Sequence, residues 1–164
     1  MEKKYILTDD VIDFNGHALH RIKAVRDFDC VKAGDLGGFI ESEKNIDHDG
    51  AAWVDGDAVV TGDAVVTGDA WVSGDAVVTG AARVTGAAWV SGDADFAVIS
   101  GFGRVFRTTT FFRCKDNLVR CKCGCFYGTV DEFRAKVRET HGNSKYAKEY
   151  LMIADLMELH FKED

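Results

Sequence analysis

Between Gly50 and Ala97 the apolar and polar positions recur every six residues: GAAWVD GDAVVT GDAVVT GDAWVS GDAVVT GAARVT GAAWVS GDADFA, with glycine at 50, 56, 62, 68, 74, 80, 86 and 92. A period this strict marks a repeat architecture. Within each hexad the residues around an Ala-x-Val core alternate as they do in a strand, so one parity must face inward. The series Ala52, Ala58, Ala64, Ala70, Ala76, Ala82, Ala88 and the series Val54, Val60, Val66, Val72, Val78, Val84, Val90 admit no polar residue, and form the predicted interior. The position between them holds Trp53, Val59, Val65, Trp71, Val77, Arg83, Trp89 and Asp95. Burying Arg83 or Asp95 unpaired would cost on the order of several kcal/mol, so this series is predicted to face out.

A longer period lies over the shorter one. Trp53, Trp71 and Trp89 stand eighteen residues apart, and eighteen is three hexads. Three six-residue sides then repeat as a triangular unit, with successive units stacked about 4.8 Å apart. Trp53, Trp71 and Trp89 form one outer column, Val59, Val77 and Asp95 a second, Val65 and Arg83 a third. Asp57, Asp75 and Asp93 fall together at one corner.

The flanks carry different patterns. Around Asn15-Gly16, VIDFNGHALHRIKAV reads as a hairpin within a β-rich element from Tyr5 to Val25. Ile40 and Ile46 keep phase with Ala52, so a degenerate first repeat is expected near Gly38. After Ile99 the six-residue pattern stops, and GFGRVFRTTTFFRCKDNLVRCKCGCFYGT reads as strands with turns at Gly101, Gly103 and Asp116-Asn117. Thr129 and Glu132 make a capping box for one helix that ends at His141-Gly142. Asn143 or Ser144 caps a second, whose stripe of Tyr146, Tyr150, Ile153, Met157 and Phe161 is predicted to pack on the Cys-rich strands. The expected organisation is therefore an N-terminal β-hairpin element over 1–37, the repeats over 38–100, and an α+β cap with two helices over 101–164.

The hexads resemble those of the left-handed parallel β-helix, or hexapeptide-repeat, proteins, in which an aliphatic residue is followed four places later by a small one, as in Val60 with Ala64 and Val66 with Ala70. The resemblance covers roughly residues 38 to 99 and implies a mainly β fold built on a short triangular left-handed β-helix. It departs in one detail, since glycine comes two places after the aliphatic residue where those families often have it one place after. The string CGCFYGTVDEFRAKVRETHGNSKYAKEY, with GDLGGFIESEKN ahead of the repeats, resembles small phage and prophage proteins that join such repeats to a similar C-terminal cap. That second resemblance implies a phage-related origin and brings no activity with it.

Charge narrows the partners. The chain carries a net charge of −7, and residues 50–97 hold seven aspartates against Arg83 alone. Affinity for phosphate backbones comes from Lys and Arg, so direct nucleic-acid binding by the repeat segment is not expected. An acidic surface suits a basic protein partner instead. Five cysteines and no signal-like apolar segment at MEKKYILTDD point to reduced thiols, and no stretch approaches the roughly 20 apolar residues of a membrane span. No membrane partner is expected, and the expected compartment is the cytoplasm of an infected or lysogenic bacterial host.

Candidate chemistry is sparse. Cys114, Cys121, Cys123 and Cys125 could offer zinc ligands with His141 or His160, yet they lack paired C-x-x-C knuckles, and on a strand Cys121, Cys123 and Cys125 suit a small packing face. Hexapeptide-repeat acyltransferases use a histidine as base, so His17, His20 and His48 define an enzyme alternative, although Gly50 to Ile99 contains no histidine. No cofactor is expected. Three Trp side chains of about 150–250 Å² each would exceed the apolar patch a monomer usually exposes. They are expected to be covered by the C-terminal helix or by another subunit, with Val59, Val65 and Val77 joining the interface in a dimer or trimer. Asp57, Asp75 and Asp93 are the expected partner-facing acids. The resulting expectation is a non-enzymatic, oligomeric protein-binding protein acting against a host defence component such as a CRISPR nuclease complex. Nucleotide sequestration at a subunit junction and a structural role in a virion are the further alternatives.

Overall fold

The computed structural model describes residues 2–163. The chain is mainly β with two C-terminal helices. At the N-terminus β1 (Tyr5–Phe14) and β2 (His17–Ala24) form the predicted antiparallel hairpin. Asn15 and Gly16 both have positive φ, 50° and 86°, as a two-residue turn of this kind requires. β3 (Leu36–Ile40) continues the sheet beside β2.

The hexads supply seven two-residue strands: β4 (Trp53–Val54), β5 (Val59–Val60), β6 (Val65–Val66), β7 (Trp71–Val72), β8 (Val77–Val78), β9 (Arg83–Val84) and β10 (Trp89–Val90). Each pairs in parallel with the strand eighteen residues away, Trp53 beside Trp71 beside Trp89, Val59 beside Val77, Val65 beside Arg83. The Ala and Val series are all fully buried and meet in one core cluster. Gly50, Gly56, Gly62, Gly68, Gly74, Gly80 and Gly86 have φ between 60° and 68°, the left-handed region that L-residues avoid, so each hexad turns at its glycine.

The expected continuous left-handed β-helix, or hexapeptide-repeat solenoid, is corrected by the sheets themselves. The pairing makes several separate small sheets: a mixed five-stranded one in the order β1-β2-β3-β5-β8, a three-stranded one in the order β10-β7-β4, and the pair β6-β9. The physical reason is the brevity of the strands. A left-handed glycine every sixth residue leaves two residues of ladder per side, and the largest sheet owes three of its five members to antiparallel and N-terminal strands outside the hexads. The phase of the degenerate repeat also differs from expectation. Phe39 and Ile40 pair with Val59 and Val60, and Ile46 bridges to Val66, an offset of twenty where the later strands keep eighteen. A slip of two preserves parity, so Ile40 and Ile46 still point inward and are buried.

Gly92 leaves the left-handed region at φ −170° and opens a short 3-10 turn, Asp93–Asp95. Asp95 is therefore not the outward residue of another repeat strand. It accepts from the Ser91 N–H at 2.9 Å and pairs with Arg113 at 3.3 Å.

Beyond this turn the chain forms a four-stranded antiparallel sheet of β11 (Phe96–Phe102), β12 (Arg107–Arg113), β13 (Val119–Cys123) and β14 (Phe126–Thr129). Strand β12 alternates between two interiors. Thr110, Phe112 and Cys114 face the repeats, where Phe112 and Cys114 join the Ala/Val core. Phe111 faces the other way into a second core with Cys121, Phe133, Val137, Tyr150 and Ile153. That second core is closed by α1 (Val130–His141) and α2 (Lys145–His160), each capped as predicted, by Thr129 with Glu132 and by Ser144. Tyr150, Ile153, Met157 and Phe161 are buried in it, while Tyr146 stays at the surface. No helix among the described residues is long and apolar enough to cross a membrane.

Gly74 and Gly80 separate the two demands made on a repeat glycine. Both have left-handed φ, but a Cβ at Gly74 would collide with the Ser91 carbonyl oxygen, whereas one at Gly80 meets nothing. Gly80→Ala should lose about 1–2 kcal/mol of stability from backbone strain alone, and Gly74→Ala about 2–4 kcal/mol once the collision is added. Urea denaturation of the two variants measures the difference; equal midpoints would show that close stacking of successive repeats contributes nothing at this corner.

Candidate functional site

The tryptophan column is graded in exposure. Trp53 is 1% exposed, Trp71 is half-buried, and Trp89 is 44% exposed. The cover over Trp53 is the chain's own N-terminal segment and not the C-terminal helix. Phe28 meets the Trp53 ring edge-on at 5.4 Å, and it is held there by a tight turn in which Phe28 and Val31 exchange backbone hydrogen bonds of 3.0 and 2.8 Å. From the other side β3 presses close enough that a Cβ at Gly37 would fall 2.7 Å from the indole. The glycines of GDLGG were the sequence signal for this approach.

Trp71 and Trp89 remain as a stacked pair, with centroids 6.3 Å apart and planes at 19°. Lys115 lies over the Trp89 ring at 5.6 Å, and Lys115 N–H donates to the Ala87 carbonyl at 3.1 Å, so the loop after β12 frames one edge of the pair. The rest of the expected interface divides. Val59 is buried against Leu19 and Phe39 under the N-terminal hairpin, while Val65 and Val77 are half-buried.

Asp57 and Asp75 are exposed at the corner between the Trp column and the Val59–Val77 column. Asp93 is engaged, its carboxylate accepting from the Val77 N–H at 2.9 Å. The four expected thiols do not converge. Cys114 lies in the repeat core, Cys121 in the second core, Cys123 accepts from the Thr109 hydroxyl at 3.2 Å, and Cys125 is exposed in the β13–β14 turn. Burial pushes the thiols of Cys114 and Cys121 up, away from the thiolate that metal binding needs. Among the described residues no group of three or more His, Cys, Asp or Glu is placed to hold a metal.

The three N-terminal histidines have structural partners. His17 meets Glu41 at 3.0 Å, and Glu41 is held below the ordinary carboxylate range by the Gly62 N–H first and His17 second. His20 contacts the Thr8 carbonyl at 3.1 Å. His48 stacks on Tyr5 at 4.3 Å and its Nδ1 accepts from the Lys4 N–H at 3.3 Å.

Two features escape the predicted interior faces. Helix α2 carries a second apolar stripe, Met152, Leu156 and Leu159, and all three side chains are exposed. The predicted stripe hid it, because both faces of the helix are apolar at helical spacing. Lys4 is fully buried, its ammonium held by the Asp49 and Gly50 carbonyls at 3.4 and 3.3 Å and lying 5.1 Å from the Phe28 ring. No spacing marks a lysine for burial.

No protein-family model and no curated protein matches this chain. The resemblance to hexapeptide-repeat and to phage or prophage proteins therefore stands withdrawn along with the continuous β-helix.

Graded exposure should appear in fluorescence. Trp89→Phe should remove most of the acrylamide-quenchable emission, and Phe28→Ala should expose Trp53 to quencher while lowering stability by about 2–3 kcal/mol. A quenchable fraction unchanged by Trp89→Phe would contradict this arrangement. Lys4 should leave a pH signature. Burial lowers its pKa from the ordinary 10.5 to about 8. Between these values the unfolded chain binds more protons than the folded one, so stability rises from pH 8 toward 10.5. At about 1.36 kcal/mol per pH unit the gain is at most about 3 kcal/mol, less where solvent screens the ammonium. The raised thiol of Cys121 works in the opposite sense above about pH 9, where unfolded thiols ionise first. The readout is therefore wild type minus Lys4→Met, and a difference flat across pH 7–11 would refute the buried ammonium.

Proposed function

We propose that this protein works by binding: it self-associates and engages a protein partner through apolar faces flanked by acids. The observation that carries the reading is the stacked Trp71–Trp89 pair, whose column is covered at Trp53 and left open at Trp89. Large aromatic side chains dominate the energetics of interfaces, and a rigid stacked pair loses little conformational entropy when it is covered. Asp57 and Asp75 beside the column favour a basic surface on the partner. The Met152, Leu156 and Leu159 stripe of α2 is a separate apolar face, suited to a second copy of the chain packing helix against helix.

Two exposed substitutions test the two faces separately. In light scattering the wild type should have a mass that is a multiple of the 18.0 kDa chain, and Leu156→Asp should reduce it to one chain. Trp89→Asp should keep the wild-type mass and lose the protein recovered when the wild type is used as bait in a bacterial lysate. A component of a defence nuclease complex, the narrower partner expected from the sequence, would be identified at that step. A monomeric wild type whose recovered proteins do not depend on Trp89 would sink the reading.

A further inference from the structure

A cleft of about 550 Å³ lies between the β6–β9 pair and the C-terminal sheet. Its charge runs against the rest of the molecule. Lys44, Arg83, Arg107 and Lys122 line it, and Asp63 is the one carboxylate among the lining residues. Outside the cleft eight of the other sixteen Lys and Arg are ion-paired among the described residues, as Arg134 is with Asp131, Asp155 and Glu158, or Arg120 with Asp116. None of the four cleft cations has a salt-bridge partner among the described residues, although acids outnumber bases 27 to 20 in the chain.

Arg83 marks the place among the hexads where a cation enters the repeat. The hexad GAARVT departs from GDAVVT twice: Ala81 replaces the aspartate that would have stacked beside Asp63, and Arg83 replaces valine. Each change makes the same wall one unit less negative, the first by omitting a carboxylate and the second by adding a guanidinium, and Arg83 is the sole cation in residues 50–97. The other cations are brought by elements far away in sequence. Lys44 stands on a 3-10 turn clamped to the ladder by the Asn45 amide, which donates to the Gly62 and Ala64 carbonyls at 3.1 and 2.8 Å. Lys122 projects from β13 on the strand face that looks toward the repeats, opposite Thr110, whose hydroxyl accepts from Arg83 N–H at 2.9 Å. Arg107 reaches over the β13–β14 turn, where Gly124 has no Cβ to obstruct the guanidinium. Four unpaired cations held on one cleft repel each other until an anion sits among them.

We infer that this cleft binds a small molecule carrying more than one phosphate, its phosphates among Lys44, Arg83, Arg107 and Lys122 and its uncharged body against Val65 and Ala81. Guanidinium and ammonium groups together give forked and point contacts to phosphate oxygens, as polyphosphate recognition uses. The volume falls within the roughly 300–1,000 Å³ of small-molecule sites. The site lies within one chain, on a different face from the Trp71–Trp89 pair, and does not depend on self-association.

Calorimetric titration of the full chain with adenosine triphosphate, inorganic pyrophosphate, citrate and a short single-stranded RNA tests the assignment. Saturable binding of the triphosphate or of pyrophosphate, weakened by salt and stronger than binding of citrate, is expected; pyrophosphate matching the triphosphate would assign recognition to the phosphates alone. Arg83→Val, which restores the repeat pattern and keeps the backbone bond to Thr110, should weaken binding roughly tenfold or more. Arg107→Ala, at an exposed position, should do the same with an unchanged far-ultraviolet spectrum. No heat with either phosphate probe at millimolar concentration, affinity unmoved by both variants, or RNA binding far tighter than the triphosphate would each overturn the proposal.

Discussion

Everything in this molecule hangs on parallel pairing between residues eighteen apart. Each strand of the repeat is two residues long, too short to be stable alone, so its backbone groups are satisfied largely by the neighbouring repeat: Trp53 N–H to Ala70, Asp55 N–H to Val72, Val59 N–H to Ala76, Thr61 N–H to Val78. Those bonds place alanine on alanine and valine on valine, and the fully buried core is their result. They also place unlike residues in register, which is how Arg83 comes to lie beside Val65 and the tryptophans beside one another.

The second dependence is strand β12. Both of its faces are buried, one in the Ala/Val core through Phe112 and one in the helical core through Phe111. It joins two halves that the sequence presents as separate units. The pairing of Cys114 with Ala88 and the stacking of Tyr127 on Phe112 extend the same seam, and Tyr127 closes over Gly86, where any Cβ would collide with its hydroxyl. The proposed phosphate cleft and the frame around Trp89 are both built at this seam, so these two surfaces take residues from both halves.

Much of this was legible in the residues. The inward series, the eighteen-residue register, the Asn15-Gly16 hairpin and both helix caps come from local chemistry that a single sequence exposes. The continuous β-helix was not a safe extension of that register, because the period fixes which strands pair but says nothing about what else joins each ladder. The cover over Trp53 was hidden because Phe28 lies in a short loop with no period of its own. The burial of Lys4, the open stripe on α2 and the gathering of Lys44, Arg107 and Lys122 around Arg83 are products of long-range packing. Only Arg83, a charge in a valine position, stands out in the repeat on the cleft wall, and it does not name the elements it would meet.

The open edge of each parallel ladder is stopped by a different device. The Val77 N–H on β8 is taken by the Asp93 carboxylate, that of Arg83 on β9 by the Thr110 hydroxyl, and beside β10 the carbonyl of Ala87 is taken by Lys115. An unstopped edge would recruit further strands from other molecules. Because the three stops are assigned to three sheets in a fixed order, the chain can be lengthened or shortened without disorder only in steps of eighteen. A single added hexad would present each stop to the wrong ladder, so the repeats and the residues that stop them are matched in units of eighteen.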